Sequence, residues 1–260
     1  MQLVNKRAYV CGSTQGIGRA CAMALAGAGA TVTLIARHAE ALELTRQQLP
    51  REHGQPHDTL CADFRDWQGV RQAAMAHALT HGPIHILINN TGGPPAGKAI
   101  EAKVEEYLDA FTMHIACGQS LVQAVAPGMR QAGYGRIVNI ISTSVIMPIK
   151  GLGVSNTIRG AVANWGRTLA DELGPFGITV NNVLPGFTDT ARLRTLLQGR
   201  ASREATTYED VVERSAAQIP TRRFAAPEEV ANVVAFLCSP EASYLNGVNL
   251  PVDGGRLATQ

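Results

Sequence analysis

Residues Cys11-Gly12-Ser13-Thr14-Gln15-Gly16-Ile17-Gly18 separate a short apolar run at 8–11 from an alanine-rich stretch at 17–28. The glycines therefore stand where a strand hands over to a helix, and each has its own use there. Gly12 permits a sharp turn. Gly16 and Gly18 let the main chain approach a pyrophosphate and let helix pack against strand. Ser13, Thr14, Gln15 and Ile17 complete a loop whose free amides, with the positive end of the helix dipole, suit phosphate oxygens. A glycine cluster elsewhere would be an ordinary turn; position makes this one specific.

Outward from this junction, β-branched runs alternate with helical stretches. Strand candidates are 8–11, 31–35, 58–62, 84–88, 136–141, 179–183 and 248–252. Each is a continuous apolar run, as expected of strands covered on both faces. Between them, 38–48 and 67–80 carry apolar residues at helical spacing, 101–130 is long enough for two helices, and 156–173 reads as another. Pro227-Glu228-Glu229 starts one more, with proline and acids in the first turn. Such alternation predicts an α/β fold: one Rossmann-type, doubly wound parallel sheet of about seven strands with helices on both faces. No linker or repeat divides the chain, so 1–260 is expected to be one domain. The segment 188–226 lacks a strand signal and is expected to be a helical insertion over the substrate site.

Composition narrows the class. Of 260 residues, 45% are hydrophobic and 17% charged, ordinary for a packed globule. A net charge of +2 gives no reason to expect nucleic acid. Five scattered cysteines show neither a CxxC pair nor a metal-ligand spacing, so reduced thiols, a cytoplasmic location and no metal are expected. No leader pattern precedes the first strand candidate, and the most apolar stretch, 21–36, is interrupted by Gly27 and Gly29, so no membrane span is expected.

Other candidate ligand residues follow strand ends, along the edge where such sheets bind ligands. After the second strand stands Arg37, where a site for the unphosphorylated dinucleotide would carry an acid. Its planar fork suits a 2′-phosphate, which favours NADP(H) over NAD(H). Asp63 ends the third strand and Phe64 is expected to flank an adenine. Asn90, Thr91 and Gly92 follow the fourth, and Pro185, Gly186, Thr188 and Thr190 follow the sixth, toward the nicotinamide end.

These motifs, with Gly135-Arg136-Ile137-Val138-Asn139 and Val252-Asp253-Gly254-Gly255, resemble the short-chain dehydrogenase/reductase family in order and spacing. Gly92-Gly93-Pro94-Pro95 and Gln218-Ile219-Pro220 are similar to a 3-oxoacyl-(acyl-carrier-protein) reductase-like subgroup. The resemblance implies a homo-oligomer, tetramer or dimer, and a catalytic quartet of Asn, Ser, Tyr and Lys. The serine maps onto Ser142. The tyrosine and lysine positions read Ser155 and Arg159, and the asparagine position reads His114. Three of the four identities are changed. No tyrosine lies between Tyr134, expected at the opposite sheet end, and Tyr208, in the insertion.

A serine hydroxyl is a far weaker acid than a phenol of ordinary pKa about 10, and arginine exchanges protons poorly. An unperturbed histidine at 114 would be the one quartet member titrating near neutrality. Two readings follow. In one, the protein reduces a small-molecule carbonyl with NADPH or oxidises the alcohol, Ser142 holding the oxygen and Ser155, His114 or water passing the proton. In the other, it binds NADP without efficient turnover, as a sensor or assembly protein. Seven arginines of the insertion, Arg192, Arg194, Arg200, Arg203, Arg214, Arg222 and Arg223, are read first as a solvated face balanced by nearby acids, with an anionic substrate such as a carrier-protein or coenzyme thioester as the other explanation.

Overall fold

A computed structural model describes residues 2–259. Seven strands form one parallel sheet: β1 (Arg7–Cys11), β2 (Thr31–Ala36), β3 (Asp58–Cys61), β4 (Ile86–Asn89), β5 (Gly135–Ile140), β6 (Ile178–Pro185) and β7 (Asn249–Val252), in the order β3-β2-β1-β4-β5-β6-β7. Strand order reverses between β1 and β4, opening a crevice at their carboxyl ends. The expected α/β architecture and strand set are therefore present, with ends shifted by up to two residues; the fourth strand, for instance, begins at Ile86 rather than at 84.

Helices cover both faces. α1 (Gly16–Gly27) and α2 (Ala39–Gln48) lie on the side later completed by α9 (Pro227–Cys238), where Leu25, Leu34, Leu42, Val230 and Val234 share one buried cluster. α3 (Trp67–His81), α5 (Cys117–Ala132) and α6 (Gly153–Leu173) cover the other, around Tyr9, Val70, Leu121, Met129 and Leu173. Sequence sets several helix ends. The Asp66 side chain accepts from Gly69 N at 2.9 Å to cap α3, Glu229 accepts from Ala226 N at 2.9 Å at the start of α9, and Gly133 ends α5 at φ +59. The stretch 101–130 divides as expected into α4 (Val104–Phe111) and α5, joined through a π-helical turn at Thr112–Ala116.

A ladder of asparagines ties the right half of the sheet together. Asn89, Asn139, Asn182 and Asn249 stand in register on β4 to β7, and each Nδ2 donates to the next Oδ1 at 2.8–2.9 Å. Asn139 and Asn182 are fully buried, so these bonds replace solvent for groups that would be costly to leave unpaired. Gly166 of α6 makes room: a Cβ there would lie 2.7 Å from Asn182 Oδ1.

Within 188–226 lie α7 (Ala191–Glu204) and α8 (Tyr208–Ala217), pinned at their base by a bridge between Thr188 and Ala225. They bury Leu193, Leu197 and Val211 against Phe187 and Phe224.

Candidate active site

At the β1–α1 turn the main chain faces outward. Gly12 and Gly16 sit at φ +58 and +53, a region that side chains with a Cβ rarely adopt. A Cβ on Gly18 would collide with the Gly12 carbonyl oxygen, so helix and turn pack as closely as backbone allows. Asn90 braces the turn, its Nδ2 donating to Cys11 O at 3.1 Å and Gly12 O at 3.3 Å. The Gln15 side chain does not cap α1, and the first turn has no acid. Bare amides and the helix dipole are thus left for an anion, so the cradle fits a dinucleotide pyrophosphate. Ser13 is fully buried with its hydroxyl turned toward Ile35 O at 3.5 Å, which leaves its main chain as its contribution.

Arg37 is exposed just beyond β2, and its side chain has no protein partner among the described residues. Asp63 Oδ1 accepts from Arg65 N at 3.0 Å. Phe64 is 7% exposed, belongs to the buried cluster of Tyr9, Cys11 and Leu121, and borders the cavity that Asn90 and Thr91 line. Thr190 leans on the glycine turn, its methyl 3.2 Å from where a Gly16 Cβ would stand, while its hydroxyl accepts from Leu193 N at 3.2 Å to cap α7. Thr188 is buried, with its hydroxyl toward Gly186 O at 3.4 Å. Pro185 is buried at the end of β6, and Gly186 allows the chain to pass close to Asp253.

The other end of the crevice is built from side chains. Ser142 lies just beyond β5, half-buried, and its Oγ accepts from Ser144 N at 3.1 Å, which leaves the hydroxyl proton free to donate. Arg159, only 9% exposed, donates from Nη1 to Ile140 O at 2.6 Å and so ties α6 to the strand end that carries Ser142. No carboxylate pairs with it among the described residues. Burial, then repulsion from Arg192, pulls its pKa down to about 10, so it remains a cation at neutral pH. Ser155 stands one turn earlier on the same face of α6, half-buried, and its hydroxyl has no protein partner among the described residues.

His114 occupies the π-helical turn, 8% exposed, with Nε2 unpartnered. Burial and then the Arg159 charge push its pKa well below the usual 6.5, against an opposing contact with the Gly92 backbone. A residue expected to titrate near neutrality is thus held neutral, because imidazolium would be both desolvated and next to a cation. Beside it a small cavity opens between Asn90, Thr91, Cys117, Ile141 and Val162.

The alternative tyrosines stand elsewhere. The Tyr134 hydroxyl donates to Cys238 O at 2.6 Å at the foot of β5, and burial raises its pKa to about 12. Tyr208 packs with the α7–α8 apolar cluster.

Arg192 is set apart by position from the other arginines of the insertion. Arg194 pairs with Asp189, Arg200 and Arg214 with Glu204, and Arg223 with Glu229. Arg192 instead donates to Pro94 O, stands against Gly93, and is near enough to repel Arg159.

A parallel sheet with a glycine-lined dinucleotide cradle at its switch point defines the Rossmann-type nucleotide-binding class. Within it, the chain belongs to the short-chain dehydrogenase/reductase family. A family model described as "Enoyl-(Acyl carrier protein) reductase" matches residues 12–256. The chain is 34% identical to 3-oxoacyl-[acyl-carrier-protein] reductase FabG of Pseudomonas aeruginosa, over 98% of each chain. It is 32% identical to a "Putative ketoacyl reductase" of Streptomyces coelicolor, over 95% of each. Its fold superposes with a TM-score of 0.92 on L-sorbose reductase from Gluconobacter frateurii complexed with NADPH and L-sorbose, at 29% identity over 100% of this chain and 99% of that one.

Proposed function

We propose that the protein is an NADP(H)-dependent oxidoreductase that reduces a carbonyl through an altered polar quartet. The observation that carries this reading is Arg159: a buried cation without a carboxylate, fixed to the strand end that presents Ser142. Gly12, Thr14, Gln15, Gly16 and Ile17 would hold the pyrophosphate, and Arg37 the 2′-phosphate. When bound, the nicotinamide supplies the hydride. Ser142 donates a hydrogen bond to the substrate oxygen, and the fixed Arg159 charge offsets negative charge developing there, the kind of preorganised stabilisation that contributes most to such barriers. His114, being neutral, is not an imidazolium acid at pH 7. The unpartnered Ser155 hydroxyl passes the proton in from solvent, less effectively than a phenol would. The name of the Pseudomonas aeruginosa relative and the NADPH in the L-sorbose reductase structure support the reaction class and the cofactor.

The pairing of Arg159 with a second unneutralised arginine, Arg192, supports a substrate carrying negative charge near the carbonyl or along an acyl carrier, with α7 and α8 as its cover. An exposed apolar row on α4, Val104, Leu108 and Phe111 at helical spacing, supports a homo-oligomer. Free cysteines throughout the described residues support a cytoplasmic setting. Among those residues no helix is long and apolar enough to cross a membrane.

The test is a direct NADPH titration beside NADPH oxidation with a panel of neutral ketones, keto acids and 3-oxoacyl thioesters. Turnover that prefers the anionic members and falls at least tenfold in Arg159→Gln is expected. Tight NADPH binding without turnover across the panel would replace this reading with that of a cofactor-binding sensor or assembly protein, which the missing tyrosine and lysine favour.

A further inference from the structure

We propose a second, unrelated site: a divalent first-row metal ion, such as Zn²⁺, bound by His77, His81 and Asp58 at the end of the sheet opposite the cofactor crevice. His77 and His81 stand one turn apart on α3, with rings stacked 4.2 Å between centroids, and Asp58 opens the edge strand β3. Asp58 Oδ2 lies 3.1 Å from His77 Nε2 and 3.7 Å from His81 Nε2, and the three atoms all fall within 4.8 Å of one another.

Hydrogen bonding around the cluster orients the three side chains. The Tyr9 hydroxyl donates its single proton to Ala74 O at 2.9 Å. His77 lies between two partners, with Nδ1 2.9 Å from the Tyr9 hydroxyl and Nε2 3.1 Å from Asp58 Oδ2. His81 Nδ1 lies 3.1 Å from the His77 carbonyl oxygen, which can only accept, so it bears hydrogen. The neutral His81 ring therefore presents Nε2 as a lone pair, while His77 Nε2 shares a hydrogen bond with Asp58 Oδ2. Asp58 Oδ1 is occupied by Thr59 N at 2.8 Å, which turns Oδ2 toward the rings. Two ring nitrogens and a carboxylate oxygen thus converge, with one shared proton among them. The nearest hydroxyl, that of Thr33, is 3.5 Å from His77 Nε2, too long for a strong bond.

A metal ion can replace the proton shared by His77 and Asp58. Tetrahedral bonds of about 2.0–2.1 Å imply ligand–ligand edges of about 3.3 Å, close to the two measured here. The Tyr9 and backbone contacts are the outer partners that metal-bound histidines commonly have. His81 and Asp58 are each 43% exposed, which gives an entry path and leaves a fourth position to water. Arg7 adds repulsion, whereas Arg46 is neutralised by Glu43 through bonds of 2.6 and 2.7 Å. With three protein donors, micromolar affinity is expected. Bound there, the ion would pin α3 to the edge strand, a role in stability and not in catalysis.

The experiment is calorimetric titration of metal-free, tag-free protein with Zn²⁺ alone, alongside thermal unfolding, for the wild type, His81→Gln, Asp58→Asn and Cys61→Ser. Both ligand substitutions are at half-exposed positions, and Cys61→Ser controls for the exposed thiol. The expected result is one equivalent bound below about 50 µM with a rise of several degrees in melting temperature. At least a tenfold loss of affinity is expected in His81→Gln and Asp58→Asn, with Cys61→Ser unchanged. Saturation only above about 50 µM, or affinity indifferent to both ligand substitutions, would overturn the proposal.

Discussion

At the β1–α1 turn, whatever binds meets backbone; at the β5–α6 end, it meets side chains. The first surface is made by Gly12, Gly16 and Gly18, whose missing Cβ atoms are structural necessities, and by the Asn90 amide holding the Cys11 and Gly12 carbonyls. Few substitutions there preserve both turn and packing. The second is made by Ser142, Ser155, Arg159 and His114, held by a scaffold that does not require their identities: Arg159 needs only a carbonyl oxygen to grip, and the π-helical turn only a side chain that fills the space beside Gly92. A phosphate cradle can therefore persist while acid–base groups above the same sheet change. Binding and proton transfer are separable properties of this crevice.

The sharpest break of that separation is restoration. Ser155→Tyr with Arg159→Lys returns the family's phenol and amine to positions one helical turn apart, and NADPH oxidation should rise about 10²–10⁴-fold in kcat, the usual worth of positioned acid–base assistance. NADPH affinity should change little. Single-substrate kinetics of the double variant against the wild type decide it. An unchanged kcat would mean that the present quartet already transfers protons fully, and the contrast between the two regions would dissolve.

Next in size is Arg37→Gln. A charge-assisted bond to a 2′-phosphate contributes about 1.5–3 kcal/mol when sheltered, and less at an exposed site. The ratio of NADPH to NADH affinity should fall about tenfold, measured by fluorescence titration with each cofactor. Equal loss for both would show that Arg37 reads no phosphate.

Gly16→Ala probes the cradle itself. The left-handed conformation costs a residue with a Cβ about 1–2 kcal/mol, and the new methyl would meet Thr190 at 3.2 Å. NADPH affinity should weaken about tenfold while unliganded stability drops modestly, read by titration and by denaturant unfolding.

What the sequence disclosed follows the same division. Glycine at 12, 16 and 18 reports on backbone, and backbone demands are local, so the turn and the set of parallel strands were legible from the sequence pattern, whereas the order of the strands came from the fold. Arg192 was hidden among arginines because only the fold shows that it stands against Gly93 and close to Arg159, while those at 194, 200, 214 and 223 have carboxylate partners. His77 and His81 display ligand spacing on a helix, yet Asp58, nineteen residues before the first of them, joins them only through the packing of α3 on the sheet.

His114→Asn gives the smallest effect and bears on the quartet alone. In the folded protein burial and the Arg159 cation hold this imidazole neutral well below pH 6.5, whereas the unfolded chain takes up a proton there. The unfolded state thus binds more protons below pH 6.5, so stability is full above that value and is lost as pH falls, by up to about 1.4 kcal/mol per pH unit for one such group. Asparagine does not titrate. The variant should therefore lose about 1 kcal/mol less than the wild type between pH 7.5 and pH 5.5 in denaturant unfolding, while His57 and His85, also lowered by burial, keep their share of the acid slope in both proteins. Identical slopes would mean that His114 is protonated in the fold despite Arg159. The imidazolium would then return as a proton donor, and the chemistry at this end of the crevice would need no help from Ser155.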